Sequence, residues 1–351
     1  MMAAHPALPG RDANTRGAAG GFFLAQDDPR GLEAWLHAAG LLADGERVET
    51  VAPAGAGNMN CTLRVRTTQR ALVVKQARPW VEKYPQFAAP PQRARREIEF
   101  HRLAAAHAIL AAGLPAMLHG DEQSCVLVLE DLGGAGDYTD LYRGGALTGG
   151  ESVRIARWLG ALHRAYAGPP EPGLLANREM RDLNHQHIFD LPLRSGHGLD
   201  LDQFTPGLEA VAGGLRGDAR LGAAAAELGR LYLEDGGRLV HGDFFPGSVL
   251  RTPAGPRFID AEFAHFGRAE HDVGVWLAHL RLAGQPRAKE DDFWCAYAKP
   301  PEFDTGLAWR FMGIEVIRRL MGYAQLPLAV DLAGKRALLE EARRAVVEAA
   351  G

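Results

Sequence analysis

The stretch that most constrains this chain is residues 239–274, LVHGDFFPGSVLRTPAGPRFIDAEFAHFGRAEHDVG. Two short β-prone pieces, 238–241 and 256–259, each run into an acidic residue. The first leads to Asp243. The second ends at Asp260, 17 positions later, with Glu262 two residues further on. This spacing predicts a hairpin-like unit that delivers two carboxylates to one end. Such an arrangement suits phosphoryl transfer, in which one aspartate accepts or orients the proton of an attacking hydroxyl and a second holds Mg2+ on nucleotide phosphates. Asp243 is the natural base and Asp260 the natural metal ligand, with Ser248 and Glu262 as accessory ligands. Mg2+ prefers oxygen and keeps waters, so few protein ligands are needed.

Composition narrows the setting. The chain has 351 residues, 47% of them hydrophobic and 23% charged, which is ordinary globular material for two domains or one bilobal fold. Lys+Arg total 39 against 43 Asp+Glu, a net charge of −4, so the basic excess of a nucleic-acid binder is absent. Three scattered cysteines, Cys61, Cys125 and Cys295, give neither a disulfide framework nor a zinc motif. They fit a reducing cytoplasm. No apolar run is long enough to span a membrane, and residues 1–25 read as a disordered lead.

The hydrophobic periodicity changes along the chain. Helical spacing at 30–44 precedes β-prone pieces at 48–51, 61–66 and 71–75, a helix over 92–112 and a short apolar strand at 124–129. Beyond residue 133 the pattern is mostly helical, at 151–167, 223–235, 271–283, 291–297, 307–325 and 331–350. The expected organisation is a lead over 1–25, a β-rich N-lobe over 26–131 and a mainly helical C-lobe over 132–351.

The motifs now carry a resemblance. HGDFFPGSVL (241–250) resembles the HGDxHxxN loop of the aminoglycoside phosphotransferase/choline kinase superfamily, with Phe245 where His is usual and Ser248 where Asn is usual. FIDAEFAHFG (258–267) resembles its metal-binding strand, and Asp272 its loop-bracing aspartate. GAGNMN (55–60), VVKQARPWVEKYP (73–85), QRARREIE (92–99) and IRRLMGYA (317–324) are similar to segments of the 5-methylthioribose kinase branch. The hinge-like VLVLEDLG (126–133) looks more like the wider superfamily.

The resemblance implies an α+β, protein-kinase-like bilobal fold with nucleotide binding in the N-lobe and catalysis and substrate binding in the C-lobe. It implies an ATP- and Mg2+-dependent kinase acting on a hydroxyl of a small sugar-like metabolite, with 5-methylthioribose or a related 5-substituted pentose favoured. Lys75 would pair with the α/β-phosphates, supported by Glu97 or, in another helix register, by Glu99. Gly57, Asn58 and Asn60 would cover the nucleotide, and Glu130 to Leu132 would form the hinge that meets adenine. Arg318 and Arg319 would contact the substrate. They stand about 100° apart on a helix, so both can flank one cleft. Such a pair suits a polyhydroxyl or anionic ligand better than a polycation. Other hydroxylated acceptors, an antibiotic or a choline-like molecule, stay open, as does a non-catalytic nucleotide-binding regulator. The expected partner is a small molecule, with no nucleic acid and no membrane, and a homodimer is compatible. His185, His187 and His197, in a Gly/Pro-containing segment, read as loop or lid residues near substrate.

Overall fold

The computed structural model describes residues 21–55, 59–134, 136–196 and 198–348. The chain divides into two compact units, Met1–Ala106 with Leu114–Gly134, and His107–Gly113 with Ala135–Gly351. The first unit runs on to Gly134, and 107–113 belong to the second unit.

The first unit contains α1 (Pro29–Ala38), β1 (Val48–Pro53), β2 (Cys61–Thr67), β3 (Ala71–Gln76), the two-stranded β4 (Trp80–Val81) and β5 (Tyr84–Ala88), α2 (Arg93–Ala105), and later β6 (Met117–Asp121) and β7 (Val126–Glu130). Five strands form an antiparallel sheet in the order β1-β2-β3-β7-β6. Strand alternation sorts the side chains between two cores. Leu72, Val74, Val126 and Val128 pack with Leu32 and Leu36 of α1. Val73, Leu127 and Leu129 pack with Ala94 and Ile98 of α2. Lys75 shares its face with Val73, the face that α2 covers.

Residues 21–25 do not belong to the expected lead. Phe22 stacks on Trp35 with centroids 4.7 Å apart. Leu24 is fully buried and its N–H donates to Gln76 Oε1 at 2.8 Å. The segment is apolar enough to complete the α1 face of the core.

The second unit begins with α3 (Ala108–Gly113). The helix expected over 92–112 is therefore two helices, broken at residues 106–107. α3 packs on α4 (Gly149–Ala165), where the Trp158 indole N–H donates to Leu110 O at 3.2 Å. A Cβ at Gly113 would lie 2.3 Å from the Trp158 ring nitrogen, so only glycine ends this helix. Helices α5 (Arg178–His185), α6 (Leu208–Arg216) and α7 (Ala219–Leu233) follow. The segment expected as a loop is thus largely helical, with a π-helical turn over Gln186–Asp190.

Two small antiparallel pairs come next: β8 (Arg238–Val240), β9 (Val249–Thr252), β10 (Gly255–Phe258) and β11 (His265–Gly267), paired β9 with β10 and β8 with β11. The chain ends in α8 (Ala269–Leu282), α9 (Ala288–Ala296), α10 (Thr305–Met321) and α11 (Leu332–Glu348). α8 and α10 are buried almost all round and form the centre of this unit. Among the described residues no helix is long and apolar enough to cross a membrane.

Candidate active site

The loop between β8 and β9 carries His241, Gly242, Asp243 and Ser248. Val249 pairs with Phe258, and Ile259 N–H donates to Ser248 O at 3.0 Å, so Asp243 and Asp260 leave the same end of the β9–β10 hairpin. His241 Nε2 lies 2.9 Å from Ile259 O and ties the two loops together. Phe244 is fully buried and stacks against Phe258 and Trp158, which anchors the loop in the core.

Gly242 has φ +84°, and a Cβ there would fall 2.2 Å from Phe263 O. Only glycine allows both the left-handed conformation and this approach of the two loops. Asp272, in the first turn of α8, braces the same point. Its carboxylate accepts His241 N–H at 2.7 Å and Gly242 N–H at 2.9 Å, and lies 3.2 Å from His163 Nε2. Burial pushes the Asp272 carboxyl up, but His163 and His271 outweigh it and hold the group well below the ordinary carboxylate range.

Asp243 is partly exposed, and its Oδ1 accepts no hydrogen bond among the described residues. Two guanidinium groups face that oxygen: Arg318 at 3.7 Å and Arg319 at 3.8 Å. Both arginines are buried, 8% and 6% exposed, so this end of α10 is not a solvated helix surface.

Asp260 sits at φ +63°, ψ +44°, a left-handed conformation that costs a non-glycine residue roughly 1 kcal/mol. Glu262 is buried, and its backbone carbonyl accepts Asn177 Nδ2 at 2.9 Å. Ser248 is also buried, and its hydroxyl donates to Asp243 O at 2.9 Å. Its proton therefore closes the loop, and only its lone pairs stay available to a cation. Among the described residues no three His, Cys, Asp or Glu side chains converge into a metal-binding group. The oxygen donors of Asp260 and Glu262 fit an ion that completes its shell with phosphate and water.

In the first unit Lys75 Nζ lies 2.7 Å from Glu97 Oε2, and both side chains are almost completely buried. Glu99, the other expected partner, is engaged by Arg95 at 3.0 Å and Arg96 at 2.7 Å. Asn60 accepts Arg93 Nε at 2.9 Å in a buried bond, so its side-chain oxygen serves the fold of its own segment. Gly57 and Asn58 lie outside the described residues, as does His197. Glu130 ends β7 and its carboxylate accepts Ala116 N–H at 3.1 Å. Leu132 is half-buried just beyond.

Residues 50–300 match the Phosphotransferase enzyme family. The chain belongs to this family. It is a phosphotransferase, and the expected kinase-like α+β fold is present, with a sheet-rich first unit and a helical second unit. Curated relatives include the methylthioribose kinases of Exiguobacterium sibiricum, 27% identical over 86% of this chain and 87% of that protein, and of Geobacillus thermodenitrificans, 27% identical over 84% and 86%. Among solved structures the chain is similar in fold to choline kinase LicA from Streptococcus pneumoniae, with a TM-score of 0.53, 13% identity, and coverage of 90% of this chain and 98% of that one. Ethanolamine kinase from Plasmodium vivax gives a TM-score of 0.53 at 11% identity and covers 96% of each chain.

Two neighbours of this phosphotransferase's arginine pair were not singled out in the sequence. Glu315 lies one helical turn before the pair, 3.1 Å from Arg318 and 2.6 Å from Arg319. The spacing Glu-x-x-Arg-Arg signals such contacts. His279 of α8 approaches Glu315 at 3.2 Å and bonds to the Tyr142 hydroxyl through its other ring nitrogen. Nothing in the sequence links residues 142, 279 and 315 before the fold is known. His187, on the π-helical turn, is pushed down to about 4 by burial and by the charge of Arg318.

Proposed function

We propose that this phosphotransferase moves the γ-phosphate of ATP to a hydroxyl of a small sugar, with 5-methylthioribose or a related 5-substituted pentose, phosphorylated at the anomeric hydroxyl, as the acceptor. The observation that carries this reading is the buried arginine pair facing Asp243. An acceptor site walled by two guanidinium groups favours oxygen-rich ligands and disfavours cations such as choline or an aminoglycoside. The curated methylthioribose kinases, similar over most of the chain, support the same acceptor.

Asp243 takes the acceptor's hydroxyl proton as the new O–P bond forms and the bond from the γ-phosphorus to the leaving ADP oxygen breaks. The bracing by Asp272 and Ser248 fixes where that carboxylate stands. Arg318 and Arg319 orient the acceptor and offset charge around it. Lys75, held by Glu97, serves the α/β-phosphates. Asp260 and Glu262 would hold Mg2+. Bound there, the ion supplies charge neutralisation on the phosphates. Most of the catalysis is positioning in a site built beforehand.

The test is a screen by coupled ADP release with 5-methylthioribose, ribose, choline, ethanolamine and an aminoglycoside. Methylthioribose is expected to give the highest kcat/KM. Preference for a cationic acceptor overturns the sugar reading, and ATP binding without turnover on any acceptor favours a regulatory protein.

A further inference from the structure

The loop at Asp243 carries phenylalanine at position 245, and the surroundings of that ring give it a use. Phe244 points into the core, and Phe245, in extended backbone at φ −127°, ψ +170°, comes next. Gly247 leaves room for the second ring, since a Cβ there would lie 2.6 Å from it. The Phe245 centroid is 5.0 Å from Arg319 Cζ and 5.4 Å from the His279 ring. That is cation–π distance for the guanidinium.

Arg319 is also held by Glu315, whose Oε1 accepts its Nε–H at 2.6 Å. Glu315 is 1% exposed and takes Arg318 as well. Burial works against the charge of Glu315, but Arg318, Arg319 and His279 outweigh it and keep the carboxyl ionised. His279 is pushed down to about 4 by burial and is neutral, so it has one N–H to give. Its contacts assign the tautomer: the Tyr142 hydroxyl donates to Nδ1 and Nε2–H donates to Glu315. The buried chain from Tyr142 through His279 fixes Glu315.

The consequence appears at Asp243. The two arginines face its Oδ1 at 3.7 and 3.8 Å, beyond hydrogen-bond reach, while their close contacts go to Glu315. We propose that Glu315 and Phe245 are positioning residues for the acceptor step: they hold Arg318 and Arg319 facing Asp243, yet keep the pair from closing on the carboxylate oxygen that receives the proton. The proposal rests on the reading of Asp243 as the acceptor's base. An arginine fork fixed during folding loses its side-chain freedom before the acceptor arrives, so binding does not bear that cost. Without Glu315, Asp243 is the remaining counter-ion at this pair, and the guanidinium groups move onto it.

Three variants test this: Glu315→Gln, Phe245→Leu and Phe245→Tyr. Two readouts are used, steady-state kinetics with methylthioribose and ATP, and phenylglyoxal labelling of Arg318 and Arg319 followed by peptide mapping. Glu315→Gln should raise the acceptor KM about tenfold and lower kcat, with the ATP KM within about twofold of wild type. Phe245→Leu should raise the acceptor KM about threefold, and Phe245→Tyr, which keeps the ring face, should restore it. Labelling of the pair should rise in Glu315→Gln and Phe245→Leu and stay low in Phe245→Tyr. If wild type ignores methylthioribose but labelling follows this pattern, the substrate reading fails and the positioning role stands. If labelling of the pair in folded Phe245→Leu and Glu315→Gln equals wild type, the proposal is overturned. Equal shifts in the acceptor and ATP KM overturn it as well. Should Glu315→Gln not fold, the half-buried Phe245 position decides alone.

Discussion

Asp272 Oδ2 accepts the backbone N–H of His241 at 2.7 Å, joining positions 31 residues apart. Its other oxygen accepts Gly242 N–H, so one carboxylate satisfies two consecutive buried donors. Asp272→Ala leaves both N–H groups and His163 without that partner. A loss of about 3–5 kcal/mol is expected, the scale for breaking a buried charged contact. Asp272→Asn should also destabilise, because an amide offers one acceptor oxygen to two donors and turns an NH2 toward the other. Urea unfolding measures both; a change below about 1 kcal/mol, the size of an ordinary surface effect, would remove the bracing role.

Asp243 does not brace the loop in this way, since its Oδ1 accepts no hydrogen bond among the described residues. Asp243→Asn is nearly isosteric. It should keep the fold and nucleotide binding while lowering kcat by about 10²–10⁴, the usual contribution of a positioned base. Single-turnover kinetics and ATP titration separate the two. Retained turnover counts against the base assignment.

The residues most legible in the sequence were those tied to short-range pattern. The two acidic residues after β-prone pieces, the helix–strand order of the first unit and the adjacency of Arg318 and Arg319 all follow from local spacing. Tertiary packing decided the rest. Residues 21–25 look like a lead until Leu24 meets Gln76. The 92–112 helix looks continuous until Trp158 claims α3 for the other unit. From the sequence Lys75 can meet Glu97 or Glu99, two positions apart on one helix, and only the sheet face covered by α2 chooses between them. Phe245 read as a bare departure from the family pattern, because its meaning lies in Arg319, 74 residues away. The helical character of 178–193 was hidden by Pro192 and by the glycines that follow it at 196 and 198.

Lys75 and Glu97 are 5% and 1% exposed and their charged groups lie 2.7 Å apart. Lys75→Met alone takes away the cation 2.7 Å from the buried Glu97 carboxylate and should cost about 3–5 kcal/mol. Adding Glu97→Gln removes the buried negative charge and should recover most of that loss, because a buried ion pair contributes little net stability over neutral groups of similar volume. On the proposed role of Lys75, turnover should not recover, since the double variant lacks the lysine that would meet the nucleotide phosphates. Thermal melts and kcat/KM for ATP check the two halves. If stability and turnover recover together, the pair acts in the fold alone.

Acid should weaken the fold well above the carboxylate range. Burial pushes His265 down to about 3 and His187 and His279 down to about 4, all below the 6.5 of a free imidazole. The unfolded chain therefore binds these protons more readily than the folded one. Their stability contribution is present above pH 6.5 and is lost as pH falls from there toward the folded values. Each such group gives a slope of about 1.4 kcal/mol per pH unit inside its window. Glu290, raised to about 7 by burial, acts in the opposite sense between 4.5 and 7 and offsets one histidine. With three histidines against one glutamate, the net expectation is a fall of about 2.8 kcal/mol per pH unit between pH 6.5 and 4.5. Replacing His265 by Phe should cost some stability at pH 7.5, because the bond from Nδ1 to Phe263 O is lost, yet flatten the dependence on acid. Urea midpoints at pH 7.5, 6 and 5 measure the slope. A wild-type midpoint that holds steady over that range, or a His265→Phe slope equal to wild type, contradicts the neutral buried imidazoles.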